Sequence, residues 1–459
     1  MDKKNLSRRD FLRMGALTAA GVALAGCATP TPETRVEEKV VTQIVKETVE
    51  VEKVITATSA PAEPITITMW HGWTGADNTE MLDQVIQSYN ETNEHGITVE
   101  PTAYSWDELF AKWVMATAAG NPADVALYHP TETPEFVERG TVIELDAFAQ
   151  QVGWSWEGIA EPIKEQCFYK GKLYGIIEDI HPIAMYYNAD LVEEAGLDPD
   201  SPPTNREEYL EWVQAMTKKD GSGNFVQVGG GMPTTGTARW IWHAWLYQNG
   251  GRFLDDRKEP AFNSAEGKEA LQLMHDLLYK YEIAPVGHND WEDFRSGMSG
   301  IEFNGPWNVN AFVGAGLNIK TAPLPTCFKQ PATWCNSHVL SLSKTDALDR
   351  QLAGMRFIQW FALNNIEACV KVGVIPVTQK VMKELQDHEW WVYYKAFADQ
   401  ADYVAYEPMI PQYSQIFSFG KPTPLVSNLE AALTNEKTID EALNDMEQGI
   451  KEILDTPIT

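Results

Sequence analysis

Cations, cysteines and long apolar runs are all scarce in this chain of 459 residues. Lys and Arg number 36 against 65 Asp and Glu, a formal charge of −29. A surface of that sign repels phosphate backbones and anionic head groups, so no nucleic-acid partner is expected, and neither a basic stripe nor a zinc-finger spacing argues otherwise. The cysteines beyond Cys27 are Cys167, Cys327, Cys335 and Cys369, too few and too scattered for a disulfide scaffold or a Cys-x-x-Cys metal site. Only Cys327 and Cys335 lie close enough in sequence to make a bridge a possibility. No apolar run reaches the roughly 20 residues that span a bilayer. Catalytic signatures are missing too: there is no Gly-x-Ser-x-Gly elbow, no His-Glu-x-x-His, no phosphate-cradling glycine loop with Lys and no dinucleotide Gly-x-Gly-x-x-Gly. His388-Glu389 runs into Trp390-Trp391, and the calcium-like start Asp220-Gly221-Ser222-Gly223-Asn224 reaches Gly231 where a closing carboxylate is needed. A glycine turn is the simpler reading of the latter.

What the chain does have begins at its start. Ser7-Arg8-Arg9-Asp10-Phe11-Leu12-Arg13, then small and apolar residues from Gly15 to Gly26, then Leu24-Ala25-Gly26-Cys27 resemble a twin-arginine export signal ending in a lipobox. Residues 1–26 are therefore expected to be removed and Cys27 to carry the lipid that anchors the protein outside the cytoplasm. Removing that segment takes away more Lys and Arg than Asp and Glu, so the mature chain is more acidic still. From residue 28 to 64 Thr, Pro, Glu, Val and Lys dominate and no aromatic residue occurs, which marks residues 27–64 as an extended tether.

From Ile65 the pattern is that of an α/β protein. Ile65 to Trp70 alternates as a strand. Leu82, Val85, Ile86 and Tyr89 form one helical face, Ile97-Thr98-Val99 a second strand and Ala123 to Tyr128 a third, giving β-α-β-α-β. Ser105 with Glu108, Thr204 with Glu207 and Thr438 with Glu441 read as capping boxes opening three helices.

All sixteen tryptophans lie at or beyond Trp70, and several fall where strands should end in loops. Trp70-His71-Gly72-Trp73-Thr74-Gly75 follows the first strand, Tyr128-His129 ends the third, and Glu178-Asp179-Ile180-His181 follows Tyr174 to Ile177. Open α/β sheets bind ligands at the carboxyl ends of their strands, so these segments are expected to share one cleft. Flat rings beside acids, amides and imidazoles suit a sugar, which has apolar C–H faces and a hydroxyl rim. His71, His129, His181 and His338 show no metal-ligand spacing in sequence, so hydrogen bonding or packing is expected of them and neither metal nor cofactor.

The body from about Ile65 to Leu454 resembles the extracellular solute-binding proteins of ABC importers, the large family that includes maltose-binding protein. The resemblance rests on Ala119-Gly120-Asn121-Pro122-Ala123-Asp124-Val125, Gly171-Lys172-Leu173-Tyr174-Gly175, Met185-Tyr186-Tyr187-Asn188, Glu194-Ala195-Gly196-Leu197, and Phe294-Arg295-Ser296-Gly297-Met298 leading to Asn304-Gly305-Pro306-Trp307. Leu324-Pro325-Thr326, Ile410-Pro411-Gln412 and a final helix with Glu441-Ala442-Leu443 follow in family order. It implies a two-lobe α/β fold of the type II periplasmic-binding-protein kind with the ligand cleft between lobes. Lobe one would be 65–178 plus 327–374, lobe two 182–323 plus 377–459, with crossings near 178–181, 324–326 and 374–376.

By position the resemblance also implies Trp307 as a stacking residue of the second lobe, Tyr128 as an aromatic contact of the first and Glu178 as an acid beside the hinge. Trp240, Trp242, Trp334, Asn336 and His338 lie in specificity segments. Phe417 stands where maltose-binding members place a stacking tryptophan, and His71-Gly72-Trp73 replaces charged first-loop residues; both departures weigh against a maltodextrin. The expected protein is a lipid-anchored, monomeric receptor that takes a carbohydrate to ABC permease subunits, without enzymatic activity. The alternatives are a receptor for another small solute, a sensor or adaptor, and a secreted glycoside-active enzyme with Glu178 and Asp179 or Asp77 as its acids.

Overall fold

The structure, a computed structural model, describes residues 64–418 and 422–458, apart from the side chains of residues 76 and 77. The export signal, Cys27 and the tether thus lie outside the described residues, as does the side chain of Asp77.

The opening β-α-β-α-β forms as the periodicity predicts. Strands Ile65–His71, Ile97–Ala103 and Val125–Tyr128 are parallel, with Ile65 beside Ile97 and Met69 beside Val125. Helices Ala76–Thr92 and Trp106–Ala118 make the crossovers, and the face of Leu82, Val85, Ile86 and Tyr89 is buried. Strand Val339–Leu342 then joins antiparallel, pairing with Val125–Tyr128 on one side and Ile176–Ile177 on the other, so the chain returns to this sheet more than 200 residues later. A second sheet has Ala184–Asn188 at its centre, flanked antiparallel by Ile301–Asn304 and Ile319–Ala322.

A third sheet is short and receives the chain from the first. Strand Asp179–Pro182 pairs antiparallel with Thr333–Asn336, setting His181 opposite Asn336, and with Ile375–Pro376, setting Asp179 opposite Pro376. Glu178 and the pair Ser337-His338 are therefore the points where chain passes from the first sheet to this one.

Two hydrophobic cores hold these layers. The first surrounds the parallel sheet and continues beneath the second through Tyr186, Phe312 and Phe397. The second packs helices Arg206–Met216, Ala238–Gln248, Ala265–Tyr279, Pro424–Leu433 and Ile439–Leu454 together. All four cysteines beyond Cys27 are buried and free, so the Cys327–Cys335 bridge left open by the sequence is not formed. Cys335 Sγ instead lies 3.1 Å from its neighbour's carbonyl, Asn336 O.

The caps test local reading closely. Thr438 and Glu441 form a complete capping box. Replacing Thr438 with alanine is expected to cost about 1 kcal/mol, read by denaturant unfolding. The Thr204 box is displaced by one residue: Asn205 is the N-cap, its side chain accepting from Glu208 N, while Thr204 Oγ1 donates to Glu208 Oε2 at 2.9 Å. Ser105 occupies its N-cap position but makes no side-chain bond there. Asp220 to Asn224 is a turn, with Asp220 Oδ1 accepting from Ser222 N and Asn224 N.

Candidate ligand-binding site

A cavity of about 350 Å³ opens where the strand ends meet, within the size range of small-molecule sites. One wall belongs to the first core. Trp73 closes the loop after the first strand, and its Nε1 donates to His338 Nε2 at 3.4 Å. Trp106, first residue of its helix, lies 4.4 Å from the His129 ring and stacks on His338 at 5.4 Å and 15°. Gly72 explains that packing, since a Cβ there would sit 2.1 Å from Trp106 Cε3.

The opposite wall belongs to the second core. Trp240 lies 4.8 Å from Trp334 and 5.6 Å from Trp307 between ring centroids. Trp307 owes its place to the Asn-Gly-Pro-Trp segment. A Cβ on Gly305 would fall 2.0 Å from Trp307 Cζ3, and Tyr186 Oη pins the turn by donating to Gly305 O at 2.7 Å. Phe417 and Tyr413 complete this wall, stacked at 4.9 Å.

The back of the cavity is a buried polar network. Asp179 is fully buried; its Oδ1 meets His181 Nδ1 at 3.0 Å and accepts from His338 N at 3.1 Å, while its Oδ2 meets His338 Nδ1 at 2.6 Å. Burial pushes its carboxyl up, but the His338 and His181 imidazoles more than reverse this and hold it well below the usual carboxylate range. Its neighbour Glu178 moves the other way, raised first by burial and then by the Asp179 charge, and accepts from Asn365 Nδ2 at 2.8 Å. His129 and His181 are held below the usual imidazole range, chiefly by burial. Asn336 also faces the cavity.

The structure therefore brings together Trp73, His129, His181, Trp240, Trp307, Trp334, Asn336, His338 and Phe417 of the residues expected from sequence. It does not bring Tyr128 to the cavity. Tyr128 is the last residue of its strand and points into the core, where Oη bonds Ser341 and Thr133 at 2.9 and 3.0 Å, whereas His129, one step on, faces the cleft. Trp242 lies two residues round the helix from Trp240, on the opposite side, and donates to Gly267 O at 3.0 Å. His71 is buried away from the cavity, with burial pushing its pKa down to about 4, and Thr74 is exposed beyond the lining. Glu178 and Asp179 stand behind the lining, as adjacent residues of one crossing. They do not flank the cleft from opposite sides, as the two acids of a glycosidase must.

Trp106, Glu132 and Tyr413 also line the cavity, and sequence reasoning missed them. Trp106 and Glu132 follow strand ends as Trp73 and His129 do, so the same rule could have found them. Glu132 is buried, and burial pushes its carboxyl up to about 8, partly offset by a hydrogen bond from Thr131 Oγ1. An acid raised in the folded state is neutral there while the unfolded chain ionises from its ordinary value, so stability falls as pH rises from about 4.5 towards 8 and then levels. A melting temperature lower at about pH 8.5 than at about pH 5.5 is expected, with Glu132→Gln shrinking the difference. A difference unchanged in that variant would remove Glu132 as its source.

Fold and site together define a two-lobed α/β protein with a cavity between aromatic walls. Residues 84–412 match the family model described as bacterial extracellular solute-binding protein, and the chain belongs to that family. Among curated relatives, it is 23% identical over 278 residues to a maltotriose-binding protein of Pyrococcus abyssi, covering 59% of this chain and 58% of that one. It is 25% identical over 238 residues to an arabinooligosaccharide-binding protein of Halalkalibacterium halodurans, covering 50% of each. The chain thus spans about half the length of the curated relatives it matches. Among solved structures, a cyclic alpha-maltosyl-1,6-maltose binding protein from Arthrobacter globiformis superimposes with a TM-score of 0.71 at 21% identity, over 85% of this chain and 99% of that one. A Thermotoga lettingae ABC transporter solute-binding protein bound with alpha-D-tagatose gives 0.65 at 25% identity, over 85% and 99%. The type II two-lobe architecture expected from sequence is the one observed.

Proposed function

We propose that this protein is a receptor that captures a carbohydrate outside the cytoplasm and delivers it to an ABC permease. The observation that carries this reading is the chemistry of the cleft. Tryptophans stand on both walls, imidazoles and an amide form the floor, and no Lys or Arg lines it among the described residues. Tryptophan faces suit the apolar C–H surface of a pyranose or furanose ring, and the polar floor suits its hydroxyls. Phosphate and sulfate esters would need cations that this lining lacks. The sugars named for the relatives support the same class of ligand.

Closure is a hinge motion of the kind periplasmic binding proteins use. The three crossings lie near residues 178–182, 336–338 and 374–377. For the middle one the sequence suggested 324–326, and we place it later. Cys327 and Trp334 still pack in the second core, while Val339 enters the first sheet, which supports the later position. The lipobox at Cys27 and the tether after it keep the receptor, as a monomer, near its membrane partner. Among the described residues no helix is long and apolar enough to cross a membrane.

Isothermal titration against a panel of mono- and oligosaccharides tests the reading. Saturable heat with at least one sugar is expected, and none across a broad panel would sink it. Mass analysis of the mature N-terminus should find a diacylated Cys27, and an unmodified chain beginning at Met1 would remove the anchor.

A further inference from the structure

We propose that His129, His181 and His338 form a three-imidazole site for a divalent transition-metal ion of the zinc class, at the back of the cleft. One ring nitrogen of each lies within 4.8 Å of the others. The three come from separate places in the chain: the residue after the third parallel strand, the central strand of the short sheet, and the crossing that follows Thr333–Asn336. Spacing in sequence therefore gave no sign of them.

Two further observations separate this group from three histidines that merely pack together. Asp179 engages Nδ1 of both His181 and His338, at 3.0 and 2.6 Å. A carboxylate on one ring nitrogen keeps the proton there, leaves the Nε2 lone pair free for a metal and fixes the ring's direction, which is the carboxylate–histidine–metal arrangement. The donor that reaches His338 Nε2 is the Trp73 indole, so that nitrogen acts as an acceptor. At 3.4 Å this bond is long enough to yield to a metal.

All three rings also line the cavity, so a bound ion would keep an open coordination position towards it. Zinc–nitrogen bonds of about 2.0–2.1 Å in tetrahedral geometry place the nitrogens roughly 3.3 Å apart, so the three rings must draw together to hold the ion. Small side-chain rotations supply such a movement. The open position would accept one oxygen donor, such as a sugar hydroxyl. The metal site itself does not depend on the ligand being a sugar.

The test uses the full chain, purified without a histidine tag, stripped with EDTA and dialysed. Zinc titrated against a chromophoric competitor should bind at about one equivalent per chain with a dissociation constant of micromolar or below. Cobalt should give the visible absorption of a nitrogen-ligated site. His129→Ala and His338→Gln should each weaken zinc at least about 100-fold, and Asp179→Asn about 10- to 100-fold. His275→Ala, outside the cleft with His275 Nε2 2.8 Å from Asn435 Oδ1, should leave it unchanged. The proposal is overturned by stoichiometry well below one in the unsubstituted chain, by a colourless cobalt form, or by binding that His129→Ala leaves intact. Sugar titration in EDTA separates the two readings. Sugar heat without zinc binding removes only the metal site, and zinc binding without heat from any sugar, in either buffer, removes only the sugar.

Discussion

Asp179→Ala is expected to lower the unfolding free energy by about 3–5 kcal/mol, measured by denaturant titration near neutral pH. The carboxylate is fully buried and engages three donors: the Nδ1 groups of His181 and His338 and the backbone N–H of His338. Alanine leaves these buried groups without their acceptor, and each such loss costs on the order of 1–3 kcal/mol unless water reaches it. Asparagine keeps one acceptor oxygen and should cost less. Because the folded-state pKa of Asp179 is depressed, its contribution is present above the ordinary carboxylate value of 3.8 and is lost as pH falls below it. The substitution should therefore also flatten the acid limb of the stability profile. A loss below about 1 kcal/mol would mean that the network holds little of the hinge together.

Trp307→Ala is expected to weaken sugar binding by about 30- to 1,000-fold, or 2–4 kcal/mol, while moving the melting temperature little. Trp307 is half-buried, part of it facing the cavity. It meets Trp240 at 5.6 Å and His181 at 5.7 Å, so it sits where a ligand would touch the second wall and the polar floor at once. Removing it takes away a flat platform at the edge of the second core rather than a fully buried member of it. Phenylalanine should restore part of the affinity, since it keeps a stacking face of smaller area. An affinity within about threefold of the unsubstituted protein would place the ligand elsewhere in the cleft. Titration against the best sugar of the panel supplies the measurement.

Much of the first lobe was legible because its signals are local. Alternation in Ile65 to Trp70 and the 3.6-residue period of Leu82, Val85, Ile86 and Tyr89 each need only neighbouring residues to be read. The Thr438 cap is equally local, and it formed as expected. The Thr204 box slipped by one because Asn205, itself a strong N-cap, stands between Thr204 and the helix and competes for the position. The tryptophan loops were legible through the rule that strand ends build clefts, which pointed to Trp73 and His129, both of which line the cavity. The rule cannot tell adjacent residues apart. Tyr128 went to the core and His129 to the cleft because strand side chains alternate, and which of the two faces is the inner one depends on the helices that cover it.

Residue types and short-range periodicity by themselves determined that this is an acidic α/β chain with aromatic residues at its strand ends, while the order of its short motifs carried the resemblance to the solute-binding family. Tertiary structure alone decided which of those residues share a cleft. His181 faces Asn336 through the register of two strands some 150 residues apart, and Asp179 reaches His338 across 159 residues. Trp240 rather than Trp242 faces the cavity through the rotation of one helix. Each of these outcomes depends on pairing between distant segments, whose free energy comes from burying both partners together, and no periodicity within either segment contains it.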